Sequence, residues 1–137
     1  MIVADTNIIS YLFLPTRYSE KASQLYRVDP EWAAPELWRS EFRNVLALYI
    51  RQNIVSLTEA LALQDEAESL MADQEFTMPS AAVMNLVASS SCSAYDCEFA
   101  ALARQLSVKL VTQDKKLLKE FPETAVSLDE FLFRANS

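Results

Sequence analysis

The 137-residue chain contains no histidine and no glycine. Without histidine there is no imidazole base for a serine or cysteine triad, no His-rich zinc site and no imidazole acid–base catalysis. Without glycine there are none of the Gly-rich loops that cradle phosphates in dinucleotide-binding and P-loop proteins. Cysteine is limited to Cys92 and Cys97. Their spacing fits neither a CxxC redox pair nor a four-ligand zinc site, and they read as small apolar residues in a reducing compartment. Any enzymatic chemistry must therefore come from carboxylates, hydroxyls, amides, Lys/Arg or a bound metal.

Positive charge is missing from one region. The formal charge is −7, which argues against a surface that coats nucleic acid throughout. Between Gln52 and Ala103 there is no Lys or Arg, and Glu59, Asp65, Glu66, Glu68, Asp73, Glu75, Asp96 and Glu98 give −8. The remainder, with 12 basic and 11 acidic residues, is +1. A phosphate-binding surface outside the acidic segment stays open. Long hydrophobic runs are missing too. The uncharged stretch from Phe76 to Tyr95 carries Pro79, Asn85 and five serines, too polar for a lipid-facing helix. The start Met1-Ile2-Val3-Ala4-Asp5 lacks the basic and apolar regions of a signal peptide. The expectation is a cytoplasmic protein without membrane contact. Its length and its 51% hydrophobic content suit one globular domain over residues 1–137.

Short apolar runs rich in β-branched residues predict strands at Ile2–Ala4, Val108–Thr112 and, more weakly, Ala125–Leu128. Longer periodic patterns predict helices at Thr6–Leu14, Ser19–Arg27, Pro35–Gln52, Thr58–Ala72, Ser80–Ser89, Ser93–Leu106, Lys115–Glu120 and Asp129–Ala135. Ser56…Glu59 and Ser93…Asp96 have capping-box spacing. Strands alternating with helices give an α/β sandwich around a small parallel sheet, narrow because strand signals are few.

Four carboxylates stand in unusual places on this pattern. Asp5 and Asp114 follow predicted strands, where open parallel sheets bind ligands; either could equally cap the helix after it. Glu41 shares helical spacing with Leu37, Trp38, Val45 and Leu48, so it points with an apolar stripe. It is then protonated, paired or cation-bound, unless it snorkels to water from an edge. Asp96 faces Phe99, Ala100 and Ala103, and is also the acidic member of the Ser93 box. Four clustered carboxylates repel unless a cation neutralises them, and all-oxygen ligation selects Mg²⁺ or Mn²⁺.

Four segments around these acids resemble motifs of the PIN-domain nucleases, most closely the VapC-like toxin ribonucleases of toxin–antitoxin modules. They are Val3-Ala-Asp5-Thr6-Asn7-Ile-Ile-Ser-Tyr-Leu12, Ser40-Glu41-Phe-Arg-Asn-Val-Leu46, Tyr95-Asp96-Cys-Glu-Phe-Ala-Ala-Leu-Ala103 and Leu110-Val-Thr112-Gln-Asp114-Lys-Lys-Leu117. The resemblance spans nearly the whole chain. It implies a PIN-like three-layer α/β/α sandwich and an acidic quartet of Asp5, Glu41, Asp96 and Asp114 that binds Mg²⁺ or Mn²⁺. It implies Thr6, Asn7 and Thr112 as supporting polar residues. It further implies hydrolysis of RNA to 5′-phosphate and 3′-hydroxyl ends, a homodimer and a cognate antitoxin. Arg39 and Arg43, one turn apart, and Lys115 and Lys116 beside Asp114 are candidate contacts to RNA phosphates; a solvated-surface role is the alternative for each. The aromatics Tyr11, Phe13, Tyr18, Tyr26, Trp32 and Trp38 read mainly as core. Three other functions remain open: a housekeeping PIN nuclease acting in RNA processing or on DNA, a receiver-like Mg²⁺-binding signalling domain, and a catalytically silent module.

Overall fold

The computed structural model describes residues 1–136. Five parallel strands form one sheet in the order β3-β2-β1-β4-β5: β1 (Ile2–Ala4), β2 (Trp32–Pro35), β3 (Glu75–Phe76), β4 (Leu110–Val111) and β5 (Ala125–Val126). The chain starts in the centre, winds out through β2 to β3, then crosses back to β4 and β5. The β1–β4 junction is therefore the topological switch point, where the carboxyl ends of neighbouring strands splay and leave a crevice. Register pins this edge: Ala4 pairs with Val111, and the Asp5 amide donates to the Val111 carbonyl at 3.1 Å.

The helices are α1 (Thr6–Phe13), α2 (Ser19–Val28), α3 (Trp38–Arg51), α4 (Leu57–Met71), α5 (Ser80–Ala88), α6 (Ala94–Leu106), α7 (Lys115–Glu120) and α8 (Leu128–Ala135). α6 lies against β1, β2 and β4 and packs on α5, while α1 covers β1 and α4 covers β2. Because the chain winds outward from β1 to β3 and then crosses back to β4, connections of the usual right hand place these two groups on opposite faces of the sheet. β1, β2, β4 and β5 are buried along their whole length, as expected for parallel strands covered on both faces. One contiguous core runs through Trp32, Trp38, Phe42, Phe99 and Leu102.

All eight helices lie where the sequence predicts them, with one displaced start: the segment from Pro35 begins as the end of β2, and its helix starts only at Trp38. Two strands were invisible in the sequence. Trp32-Ala-Ala-Pro35 has no β-branched residue and ends in proline, and Glu75-Phe76 is two residues long. The sheet is small because its strands are short, not because they are few. The Ser56–Glu59 capping box forms in full. Ala125–Leu128 divides into β5, the cap Ser127, whose Oγ accepts from the Glu130 amide at 3.1 Å, and the first residue of α8.

With no glycine available, three other residues among those described take left-handed backbone: Asn53, Asp73 and Ser107. Asn and Asp tolerate this region through local hydrogen bonding; Ser gains less from it. Ser107 ends α6 at φ 56°, ψ 43°, the conformation in which glycine is usually found. Ser107→Gly should therefore raise stability by about 0.5–1 kcal/mol, read as a higher urea midpoint with an unchanged slope.

Candidate active site at the strand carboxyl ends

Asp5 is the first residue beyond β1, and it is buried, only 8% exposed. Two threonines hold its carboxylate. The Thr6 amide donates to Oδ1 at 2.8 Å, and the Thr112 hydroxyl, from the end of β4, donates to Oδ2 at 2.6 Å. Thr112 Oγ1 also accepts from the Asp114 amide at 3.0 Å. One buried hydroxyl thus ties the loops after β1 and β4 together across the switch point. Thr6 repeats the device on the other side: its hydroxyl donates to Glu41 Oε1 at 2.7 Å, which links α1 to α3.

Asp114 caps α7, its Oδ1 accepting from the amides of Lys116 (2.8 Å) and Leu117 (3.0 Å). Oδ2 is left out of the cap. Asp5 likewise caps α1. Capping and facing the crevice are thus compatible at both positions. Asp96 sits in the first turn of α6, where Ser93 Oγ accepts from its amide at 3.1 Å. The four carboxylates open on one hollow of about 380 Å³. Thr6, Asn7, Leu37, Ser40, Asn44, Val45 and Tyr95 complete its lining.

Electrostatics bind the four into one unit. Burial pushes the Asp5 carboxyl up to about 6; its hydrogen bonds from Thr112 and Thr6 oppose the rise, and the charges of Asp96 and Glu41 add to it. Burial also raises Glu41 above the ordinary range, with the Thr6 hydrogen bond opposing and Asp96 and Glu98 reinforcing. Asp96 is raised by burial and then by Asp114, while Ser93 and the Lys116 ammonium pull it back. These groups feel one another's charge, as members of a common site do.

The donor set is all oxygen and carries excess negative charge, which suits a hard divalent cation. Among the described residues, however, no three acidic or thiol side chains stand close enough to hold one ion directly. The carboxylates ring the hollow instead of converging on a point. Such a ring fits Mg²⁺ or Mn²⁺ that keeps part of its water shell, a habit of Mg²⁺ in particular.

The predicted cationic residues divide. Lys116 lies near enough to favour the charged form of Asp96. Arg43 is exposed next to the hollow, its Nη2 donating to Ser40 Oγ at 3.0 Å. Lys115 is exposed on α7 outside the hollow's lining. Arg39 turns its guanidinium to two carboxylates, Glu75 (2.6 and 2.7 Å) and Glu68 (3.0 Å). Sequence reasoning gave no role to Ser40, Asn44, Tyr95 or Glu98. Ser40 and Asn44 flank Glu41 on α3, and Tyr95 and Glu98 flank Asp96 on α6, so proximity in sequence to the acids was the available signal. No helix among the described residues is long and apolar enough to cross a membrane. Cys92 and Cys97 are both buried free thiols.

A family model for the PIN domain matches residues 2–123. Among solved structures, the chain is similar to PAE2754 from Pyrobaculum aerophilum, with a TM-score of 0.75 and 20% identity over 98% of this chain and 96% of that one. It is similar to FitAcB from Neisseria gonorrhoeae, with a TM-score of 0.71 and 20% identity over 93% of this chain and 98% of that one. A toxin–antitoxin complex from Klebsiella pneumoniae gives a TM-score of 0.62 at 20% identity, over 93% and 98%. At that identity these likenesses show the fold. No curated protein sequence matches.

The raised Asp5 carboxyl has a consequence for stability. Its folded-state pKa of about 6 exceeds the unfolded value of about 3.9, so between these limits the folded chain binds more protons, and its stability falls as pH rises. Above about pH 6 the ionised, buried carboxylate costs on the order of 2–3 kcal/mol in metal-free protein. Asp5→Asn removes that cost. Urea unfolding in a chelator should find the variant more stable than wild type at pH 7.5, with the advantage gone by pH 4.

Proposed function

The chain belongs to the PIN-domain family, and on that premise we propose that it is a divalent-metal-dependent endoribonuclease, the toxin of a toxin–antitoxin pair. The observation that carries this reading is the ring of Asp5, Glu41, Asp96 and Asp114 around one hollow at the switch point, with Thr6 and Thr112 fixing two of them. Residues 1–137 act as one domain in the cytoplasm, where RNA and reduced thiols are both found.

Asp5, Glu41, Asp96 and Asp114 would hold Mg²⁺ or Mn²⁺. When bound there, the ion supplies a water acidified toward neutrality and positive charge for the non-bridging phosphate oxygens. Asp5 is kept in one orientation by Thr112 and Thr6, so its remaining lone pairs are committed in direction before substrate arrives. Glu41 Oε2, the oxygen that Thr6 does not engage, accepts a hydrogen bond from the attacking water and takes its proton. The water oxygen bonds to phosphorus as the P–O3′ bond breaks. This leaves a 5′-phosphate and, after protonation by solvent, a 3′-hydroxyl. Asn7, exposed on α1 in the lining of the hollow, supports the carboxylates as the family resemblance implies. Lys116 and Arg43 neutralise neighbouring phosphates, with Lys115 further out on α7. Tyr95, 64% exposed at the rim, offers a face for an unpaired base, an interaction worth about 1–3 kcal/mol per base. The toxin reading draws support from the Klebsiella neighbour, itself a toxin–antitoxin complex. The partner is then an antitoxin, and the active form a homodimer.

Purified protein should cut a structured RNA with Mg²⁺ or Mn²⁺ and stop when the ion is chelated. Asp5→Asn and Glu41→Gln should each lower kcat at least a hundredfold. Cleavage of DNA in preference to RNA, or undiminished cleavage by these variants, would sink the proposal. Lys116→Ala should reduce the slope of log affinity against log salt by about 0.7, one single-strand phosphate contact, measured with the inactive Asp5→Asn protein. An unchanged slope would remove Lys116 from the RNA path.

A further inference from the structure

Glu41 rides on α3, and α3 begins without the usual capping oxygen: Leu37 stands at the cap and offers no side-chain hydrogen bond. The helix start is held from outside. Glu75 Oε2, from the edge strand β3, accepts from Trp38 Nε1 at 2.8 Å and from Arg39 Nε at 2.6 Å, and Oε1 accepts from Arg39 Nη2 at 2.7 Å. The next residue of β3, Phe76, takes the Glu36 amide on its carbonyl at 3.0 Å. Arg39 Nη1 reaches on to Glu68 of α4, which also accepts from Gln64 Nε2 at 2.8 Å. The Arg39 guanidinium holds the Glu75 carboxyl below the ordinary range. An anion at this end of α3 also complements the helix dipole.

From this arrangement we infer that Glu75 is a positioning residue, which fixes the rotation of α3 so that Glu41 meets Thr6 at the mouth of the hollow. The inference rests on the nuclease reading for its effect on cleavage, but not for its structural content. Trp38 is fully buried and its ring packs on Phe42, centroids 6.1 Å apart. Glu41 lies three residues after Trp38, one turn along the same side of the helix. Pinning the indole therefore sets the direction of Glu41. Side chains reach about 5–6 Å from a helix axis, so a rotation of ~20° moves the Glu41 carboxylate by about 2 Å. That suffices to break its 2.7 Å bond from Thr6. Displacements near 1 Å cost catalysis up to about a hundredfold.

The test compares Glu75→Gln with Ser56→Ala, which weakens the distant α4 cap. In metal-free protein, Glu75→Gln should speed hydrogen exchange at the Glu41 and Phe42 amides at least tenfold relative to α6 amides; Ser56→Ala should not. In RNA cleavage, Glu75→Gln should lower kcat tenfold to a hundredfold with KM within about twofold. In a Glu41→Gln background the same change should do nothing further. Uniform or unchanged exchange overturns the inference, as does a Glu75→Gln effect that multiplies with that of Glu41→Gln. If wild-type protein cuts no RNA, the nuclease reading fails by itself, and the exchange comparison still decides the role of Glu75.

Discussion

The candidate site is organised around a carboxylate buried at the end of the central strand. Asp5 is placed where water cannot fully solvate it, and where three more acids approach. Its hydrogen bonds from Thr6 and Thr112 recover only part of the lost hydration, which is why its proton affinity stays high. A fold optimised for stability alone would put an amide or an apolar residue there. Retaining the charge makes sense where a cation completes the site, since the repulsion and desolvation that cost stability in its absence become attraction in its presence.

The two threonines show how few groups are needed to assemble such a site. Thr112 joins the rims of β1 and β4, and Thr6 joins α1 to α3, so each hydroxyl connects segments far apart in sequence. The parallel sheet supplies the rest, because β1 and β4 run side by side and end at the same level. Asp96 arrives by a different route, on the α6 helix that covers β1, β2 and β4. Three structural layers thus contribute acids to one hollow, and none of these segments contains the site alone.

How much of this was legible follows from which interactions are local. The apolar runs at Ile2–Ala4 and Leu110–Val111 identify their strands, and an aspartate just past each is visible by eye. Glu41 and Asp96 stand out because a carboxylate interrupts an apolar helical stripe. β2 and β3 were hidden because burial and pairing, not residue preference, make Ala33, Ala34 and Glu75 extended. The ion pairs of Arg39 are hidden for a related reason. The spacing of Arg39 from Arg43 suggests a shared face, but its partners Glu68 and Glu75 lie 29 and 36 residues away and meet it only once α4 and β3 are docked. A long-range ion pair leaves no periodic trace in a sequence.

The same logic resolves the acidic segment from Gln52 to Ala103. Its eight carboxylates do not form one solvated face. Asp96 belongs to the hollow, and Glu98 is half-buried within electrostatic reach of Glu41. Glu68 and Glu75 brace Arg39, and Glu59 closes the capping box of α4. Asp73 takes left-handed backbone just after α4, a turn that glycine would ordinarily make. Only Asp65 and Glu66 are left as exposed charges without such a task.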